Sequence, residues 1–266
     1  MTTVHTLASG SSGNALLLCS GETRLLIDAG ISCRRISAAL KQLNLSLDDL
    51  SAILVTHSHA DHTGGLKTLL KRTQLPVLGS ARTCRELEWQ LPEYAERLRE
   101  VAMCRPFPLW NCRVTAFPLS HDAPGTCGFR IDTEDGGVGI ITDTGYVTEE
   151  AADILPGVNL VVLEANHDVE WVESGPYPYS LKRRILGAEG HLNNEDAARF
   201  AVSLAESGAG EIILAHLSAE NNTPAMAHRA VETALSAAEQ MVRLTVAPRE
   251  TLSEAYTVRG RDLCRK

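Results

Sequence analysis

From Ala52 the chain runs through four apolar residues, AILV, into His57, His59, Asp61 and His62, and then into Gly64 and Gly65. No polar residue interrupts the run, so a strand made of it is covered on both faces and needs a layer packed on either side. Such a strand suits a layered architecture in which both faces of the sheet are covered. In extended or turning backbone, positions i and i+2 point to the same side, so His57 and His59 reach one cation together. Asp61 and His62 follow at the turn into the next helix and reach a second, and the two glycines give the backbone room for that turn. Imidazole nitrogens and carboxylate oxygens are ligands of divalent metals, and three or four of them make a usable site. A loop that merely carries surface histidines is a poor account of three within six positions beside an aspartate.

Short apolar runs recur along the whole chain. They predict strands at 4–8, 15–19, 24–28, 52–56, 76–79, 113–119, 128–132, 137–142, 160–164, 211–215, 243–247 and 254–258. Amphipathic stretches predict helices at 32–43, 64–71, 81–91, 148–155, 179–187, 194–207 and 223–240. Ser32, Thr148 and Asn194 are the expected N-caps. Strands in both halves with helices spread among them predict an α/β domain, not a helical bundle or a β-sandwich. At 266 residues and 44% hydrophobic the chain can bury a sizeable core. With no Pro/Gly/Ser-rich linker, low-complexity tract or fixed-period repeat, one domain over residues 1–266 is expected.

Seven cysteines (Cys19, Cys33, Cys84, Cys104, Cys112, Cys127 and Cys264) are an odd number with no C-x-x-C pair. This argues against a disulfide framework or a thiolate zinc knuckle and for a reducing cytoplasm. No apolar run approaches the roughly 20 residues of a membrane span, and the N-terminus lacks the pattern of a signal peptide. Twenty-five basic against thirty-three acidic residues leave a net charge of −8. That balance counts against a non-specific nucleic-acid binder, although bound divalent cations can dominate the local field of a site.

Further ligand types stand at other strand ends: His121 after VTAFPLS, Asp143 after VGIIT and His216 after EIILA. Alone, each is an ordinary capped or solvated residue. Together they are a metal set, because open α/β sheets gather their sites at strand carboxyl ends.

THSHADH, followed in order by a strand-end His, an Asp and a final His, resembles the metallo-β-lactamase fold superfamily over nearly the whole chain. The resemblance implies a four-layer αββα sandwich with a dinuclear metal site at one edge. It implies that His57, His59 and His121 hold one divalent metal, that Asp61, His62 and His216 hold the second, and that Asp143 bridges them. Zinc, manganese and iron all suit such ligands. The GHTPG sequence of thioesterases of this fold is absent, as are a glutamate in place of His59 and a cysteine in place of Asp143. The stretch from Asp143 to His216 is too short for the extra domain of the cleavage-factor nucleases.

LVVLEANHD and GAEGHLNNEDAARFA resemble second-site segments of the tRNA-maturing nuclease tRNase Z, without its long Gly/Pro-rich insertion. By that match Glu164 and His191 stand beside the metals, His191 protonating a leaving alkoxide and Glu164 orienting its ring. His167 is either a residue of the site rim or a plain loop histidine. LASGSSGN, LIDAGIS, VTHSHADH, SHDAPG, TDTGYV, LEANHD, GHLNN and AHLSAENN, in that order, are similar to the WalJ/YycJ group, bacterial single-domain enzymes regarded as DNA exonucleases acting from the 5′ end.

The expected function is therefore a dinuclear metal-dependent phosphodiesterase acting on nucleic acid, a 5′-to-3′ DNA exonuclease, with RNA as the second polymer. The alternative is a hydrolase of thioesters or cyclic phosphodiesters. Asp61 would orient the attacking water as well as hold metal. Ser9, Ser11, Ser12 and Asn14 either bind a terminal 5′-phosphate or form a plain turn. Asn221 and Asn222 either bond nucleotide edges or cap the helix after them. The charge run Lys182, Arg183 and Arg184 is either a backbone tracker or, the preferred reading, a solvated helix face.

Overall fold

The computed structural model describes residues 1–259, so Cys264 lies outside the described residues. In the first half the elements are β1 (Thr3–Ala8), β2 (Ala15–Ser20), β3 (Thr23–Ile27), α1 (Cys33–Gln42), β4 (Ala52–Leu54), α2 (Ala60–Thr63), α3 (Leu66–Arg72), β5 (Val77–Ser80), α4 (Ala81–Gln90) and β6 (Leu98–Val101). The second half contains β7 (Phe107–Leu109), β8 (Cys112–Pro118), β9 (Cys127–Thr133), β10 (Gly136–Ile141), α5 (Glu149–Ile154), β11 (Leu160–Glu164), α6 (Val169–Ser174), α7 (Tyr179–Ile185), α8 (Asn194–Glu206), β12 (Glu211–Ala215), α9 (Pro224–Ala237), β13 (Arg243–Val246) and β14 (Tyr256–Thr257).

Among the described residues the strands form two seven-stranded sheets, ordered β14-β1-β2-β3-β4-β5-β6 and β13-β12-β11-β10-β9-β8-β7. Each sheet opens with antiparallel pairing, β1 to β3 and β7 to β10, and continues in parallel, β3 to β6 and β10 to β13. Parallel neighbours need a crossover, which α1, α3 and α4 supply in one half and α5, α8 and α9 in the other.

The uninterrupted apolar strands are explained by three separate cores. In β2, Leu16 and Leu18 face the opposite sheet, while Leu17 points outward to the helices. Leu25 and Ile27 of β3 face inward in the same way and Leu26 outward. The inter-sheet core adds Val114, Phe129, Ile140 and Val162 from the second sheet. Outside the first sheet, Ile36 and Leu40 of α1 and Leu66 and Leu69 of α3 close a second core. Phe200, Leu204, Val231 and Leu235 of α8 and α9 close the third. Each fully buried Leu side chain removes enough apolar surface from water to contribute about 1.5–3 kcal/mol. The layers are helix, sheet, sheet, helix, as expected.

Two features depart from the sequence reading. The short edge strands β6 and β7 were not expected: β6 reads LREV, with two exposed charged residues inside it, and β7 reads FPL, with a proline at its centre. The helix expected from Asn194 is capped by Asn193, whose Oδ1 accepts from the N–H groups of Glu195 and Asp196. Asn194 is instead the first helical residue, and its side chain bonds Asn222. Ser32 and Thr148 do cap α1 and α5. No helix among the described residues is long and apolar enough to cross a membrane.

Candidate metal centre

The carboxyl ends of β3, β4, β8, β10, β11 and β12 meet at one edge of the two sheets. Three of their terminal turns place a non-glycine residue in the left-handed region: Asp28 (φ 61°), Asp143 (φ 62°) and His216 (φ 54°). That conformation costs about 1–2 kcal/mol for an L-residue. The cost is accepted here where the turn swings a ligand-type side chain into the common space.

The opening cluster is shaped by backbone contact. His59 is the N-cap of α2, which carries Asp61 and His62. Asn14 N–H donates to Asp61 O at 2.7 Å, and Gly65 N–H to Ala29 O at 2.7 Å. A Cβ on Gly30 would lie 1.7 Å from Asp61 O, and one on Gly65 2.0 Å from Ile31 O. Gly64 and Gly65 both have right-handed backbone, so these glycines serve close approach and not an unusual φ.

Around that turn the imidazoles pack edge to face and ring on ring. His57 lies 4.7 Å from His59, 4.1 Å from His62 and 5.1 Å from His121 between ring centroids, and His216 lies 5.6 Å from His62. Three groups of ligand atoms fall within 4.8 Å of one another: His57, His59 and His121; His57, Asp61 and His62; and Asp143, Glu164, His191 and His216. Asp143 stands between them. Its Oδ1 is 3.2 Å from His216 Nε2 and 4.0 Å from His121 Nε2, and its Oδ2 is 3.2 Å from His62 Nε2.

The residues fit divalent cations on two grounds. His57 Nε2 is buried with no hydrogen-bond partner, a cost that a protein accepts where an unrecorded group completes the bonding. The local field also favours positive charge. Burial opposes charge on His62, yet Asp143 and Asp28 raise its pKa well above the ordinary imidazole value. Burial and the charge of His62 hold His57 well below that value, and so neutral.

Three of the rings are braced from behind. Asp28 Oδ2 is 2.8 Å from His62 Nδ1, and both its oxygens accept from Thr56, one from the N–H and one from the hydroxyl, at 2.9 Å. Thr56 Oγ1 is 3.1 Å from His57 Nδ1, and Gly190 O is 3.0 Å from His121 Nδ1. Such partners set the tautomer and aim of a ligating imidazole.

Beside this centre, Glu164 Oε1 lies 2.8 Å from His191 Nδ1. Glu164 is fully buried, and its Oε2 accepts from the N–H groups of Thr144 (2.9 Å) and Leu192 (3.2 Å). Burial lowers the pKa of His191, but the charge and hydrogen bond of Glu164 outweigh it and raise the ring to about 9. His191 opens into a cavity of about 340 Å³ whose wall includes Ser11, His59, Asp61, His121, Asp143, Arg184 and His216.

Several expected substrate contacts are turned inward. Ser9 Oγ accepts from His216 N–H at 2.9 Å. Asn14 Nδ2 is 3.0 Å from His62 Nε2 and its Oδ1 3.2 Å from His216 Nδ1. Asn222 is buried against Asn194 and the carbonyl of Ala165, and Asn221 is buried beside it. Of the loop hydroxyls, Ser11 lines the cavity and Ser12 is exposed. His167 is on neither the rim nor the surface. It is buried, with Nδ1 3.3 Å from Asn166 Oδ1, and burial lowers its pKa to about 4.

Sequence reasoning passed over Asp28 and Asp122, and for Arg184 it preferred a solvated helix face. Asp28 carried the same signal as Asp143, an apolar run ending on Asp before a small residue. Asp122 directly follows His121, and its Oδ1 is 3.4 Å from His121 Nε2 and 3.6 Å from His59 Nε2. The basic run divides. Arg183 is exposed, Lys182 donates to Glu173 O, and Arg184 lines the cavity.

A model of the β-lactamase superfamily domain matches residues 23–217. The chain is 38% identical over 232 residues to exodeoxyribonuclease YycJ of Bacillus anthracis, covering 86% of this chain and 87% of that one. It is 36% identical over 241 residues to exodeoxyribonuclease WalJ of Streptococcus pneumoniae, covering 88% of each. In fold it is similar to Zn²⁺-bound PqqB from Methylobacterium extorquens, with a TM-score of 0.73 at 18% identity, over 96% of this chain and 100% of the other.

Proposed function

The chain belongs to the β-lactamase superfamily, in the group of the YycJ and WalJ exodeoxyribonucleases, and on that premise we propose that it is a one-domain, dinuclear metal-dependent phosphodiesterase that degrades DNA from the 5′ end. The observation that carries this reading is the Glu164–His191 pair placed beside the imidazoles gathered round Asp143. In this proposal His57, His59 and His121 would hold one cation and Asp61, His62 and His216 the other, with Asp143 as a ligand shared by both. Divalent ions bound there supply Lewis-acid charge to phosphoryl oxygens and lower the pKa of water. Zinc or manganese, with iron as a third choice, suits these donors. Free thiols at the six described cysteines fit a reducing cytoplasm.

The side chains supply the remaining steps. Asp61 faces the cavity and accepts a hydrogen bond from the attacking water, which aims it at phosphorus. His191 carries a proton at neutral pH and delivers it to the departing oxygen. Glu164, anchored by two backbone N–H groups, keeps that ring charged and facing the cavity.

Digestion of a 3′-labelled DNA duplex, with and without a 5′-phosphate, in Mn²⁺ and in Zn²⁺, tests the reading. Stepwise loss from the 5′ end that vanishes in an Asp61→Ala, His62→Ala double variant is the expected result. No digestion by folded, metal-loaded protein points to a small-molecule ester or cyclic phosphodiester instead.

A further inference from the structure

We propose that Arg184, aimed by Asp122, binds a second phosphate of the strand being cut, one nucleotide from the scissile bond; this rests on the nucleic-acid reading above. α7 has no fully buried residue, so core packing does not account for its composition. Leu181, Arg184 and Ile185, at i, i+3 and i+4, share one helix face, and that face lines the cavity of the metal centre. Arg184 Nε lies 2.5 Å from Asp122 Oδ2, and among the described residues neither terminal guanidinium nitrogen has a partner.

An exposed ion pair of this kind adds little to stability, but it fixes a direction. Because Asp122 Oδ1 also lies 3.4 Å from His121 Nε2 and 3.6 Å from His59 Nε2, the guanidinium stands one carboxylate away from the rings that would hold metal. Its uncommitted fork matches two phosphate oxygens at once, which a lysine ammonium cannot reproduce. Leu181 and Ile185 on either side offer an apolar wall suited to a sugar or base, as a nucleotide requires and an inorganic anion does not.

The test uses the full-length, metal-loaded chain as wild type, R184Q and R184K on single-stranded DNA carrying a 5′-phosphate or a 5′-hydroxyl, over a range of salt. R184Q is expected to raise KM about ten- to a hundredfold, with a smaller effect on kcat, and to reduce the salt slope by roughly 0.7. R184K is expected to recover part of the loss. A loss confined to 5′-phosphorylated strands places the bound phosphate at the terminus, and an equal loss on both places it beyond the cut. An unchanged KM overturns the proposal. So does a fall in kcat accompanied by loss of metal, because Arg184 then acts through Asp122 on His59 and His121. A wild type that hydrolyses bis(p-nitrophenyl) phosphate but no oligonucleotide overturns the nuclease reading, and the phosphate contact with it.

Discussion

Glu164 and His191 form a directed pair: the buried carboxylate gives Oε1 to the ring nitrogen Nδ1 at 2.8 Å and spends Oε2 on the backbone of Thr144 and Leu192. The carboxylate cannot turn away without stranding two buried N–H groups, so the imidazole is held in one orientation beside Asp143. In the proposed reaction the opposite nitrogen of the ring exchanges a proton with substrate.

His191→Ala should lower kcat on DNA by about 10²–10⁴, and much less on a p-nitrophenyl reporter, whose leaving group needs no proton. A similar drop on both substrates would assign His191 to metal binding instead. With its pKa raised to about 9, His191 keeps its proton below that value and loses it as pH rises through it. The rate should therefore fall on the alkaline side, and Glu164→Gln should move that limb to lower pH. Profiles of kcat against pH for both proteins decide the point.

Asp28 meets His62 Nδ1 at 2.8 Å from a strained turn. Asp28→Asn keeps the volume but loses the charge that orients and strengthens the ring as a donor, so metal affinity should drop about 10- to 100-fold. Competition with a chromophoric chelator measures it. Wild-type affinity in that variant would show that Thr56 alone suffices to hold the ring.

His167 is buried, and the desolvation that lowers its pKa to about 4 exceeds the opposing pull of Glu164. Between pH 6.5 and 4 the unfolded chain binds a proton there and the folded chain does not. Stability is therefore intact above 6.5 and is lost as pH falls through this window, by up to about 3 kcal/mol at 1.36 kcal/mol per pH unit. Urea titrations at pH 4.5 and 7 should differ less for His167→Gln than for the wild type. Equal differences would move the acid lability to other groups.

At Gly30 the neighbouring backbone leaves no room for a methyl group, since Asp61 O would sit 1.7 Å from the new Cβ. Gly30→Ala should displace the turn that carries Asp61 and His62 and destabilise the protein by about 2–4 kcal/mol, with loss of bound metal. Denaturant midpoints and metal content together test this. A stable variant with full metal would mean that the two loops separate easily.

Four of the proposed ligands were legible because each follows an apolar run, and a strand buried on both faces delivers its last residue to the same edge as its neighbours. His57, His121, Asp143 and His216 are read off in that way. The strands β6 and β7 were not legible, because they are only four and three residues long, and Arg99 and Glu100 inside LREV and Pro108 inside FPL break the apolar signal.

The sequence by itself determined the layered α/β class and the kind of chemistry, since burial patterns and ligand types are local properties of the chain. Only the tertiary structure decided which polar residues face the cavity and which turn in against the clustered imidazoles. Asn14, in a glycine-rich loop that reads as an anion cradle, lies between His62 and His216, ligand types 48 and 202 positions away. Arg184, in a charge run that reads as a solvated face, lines the metal cavity. The physical reason is that the direction of a polar side chain depends on partners distant in sequence, and those distances exist only once the two sheets have packed.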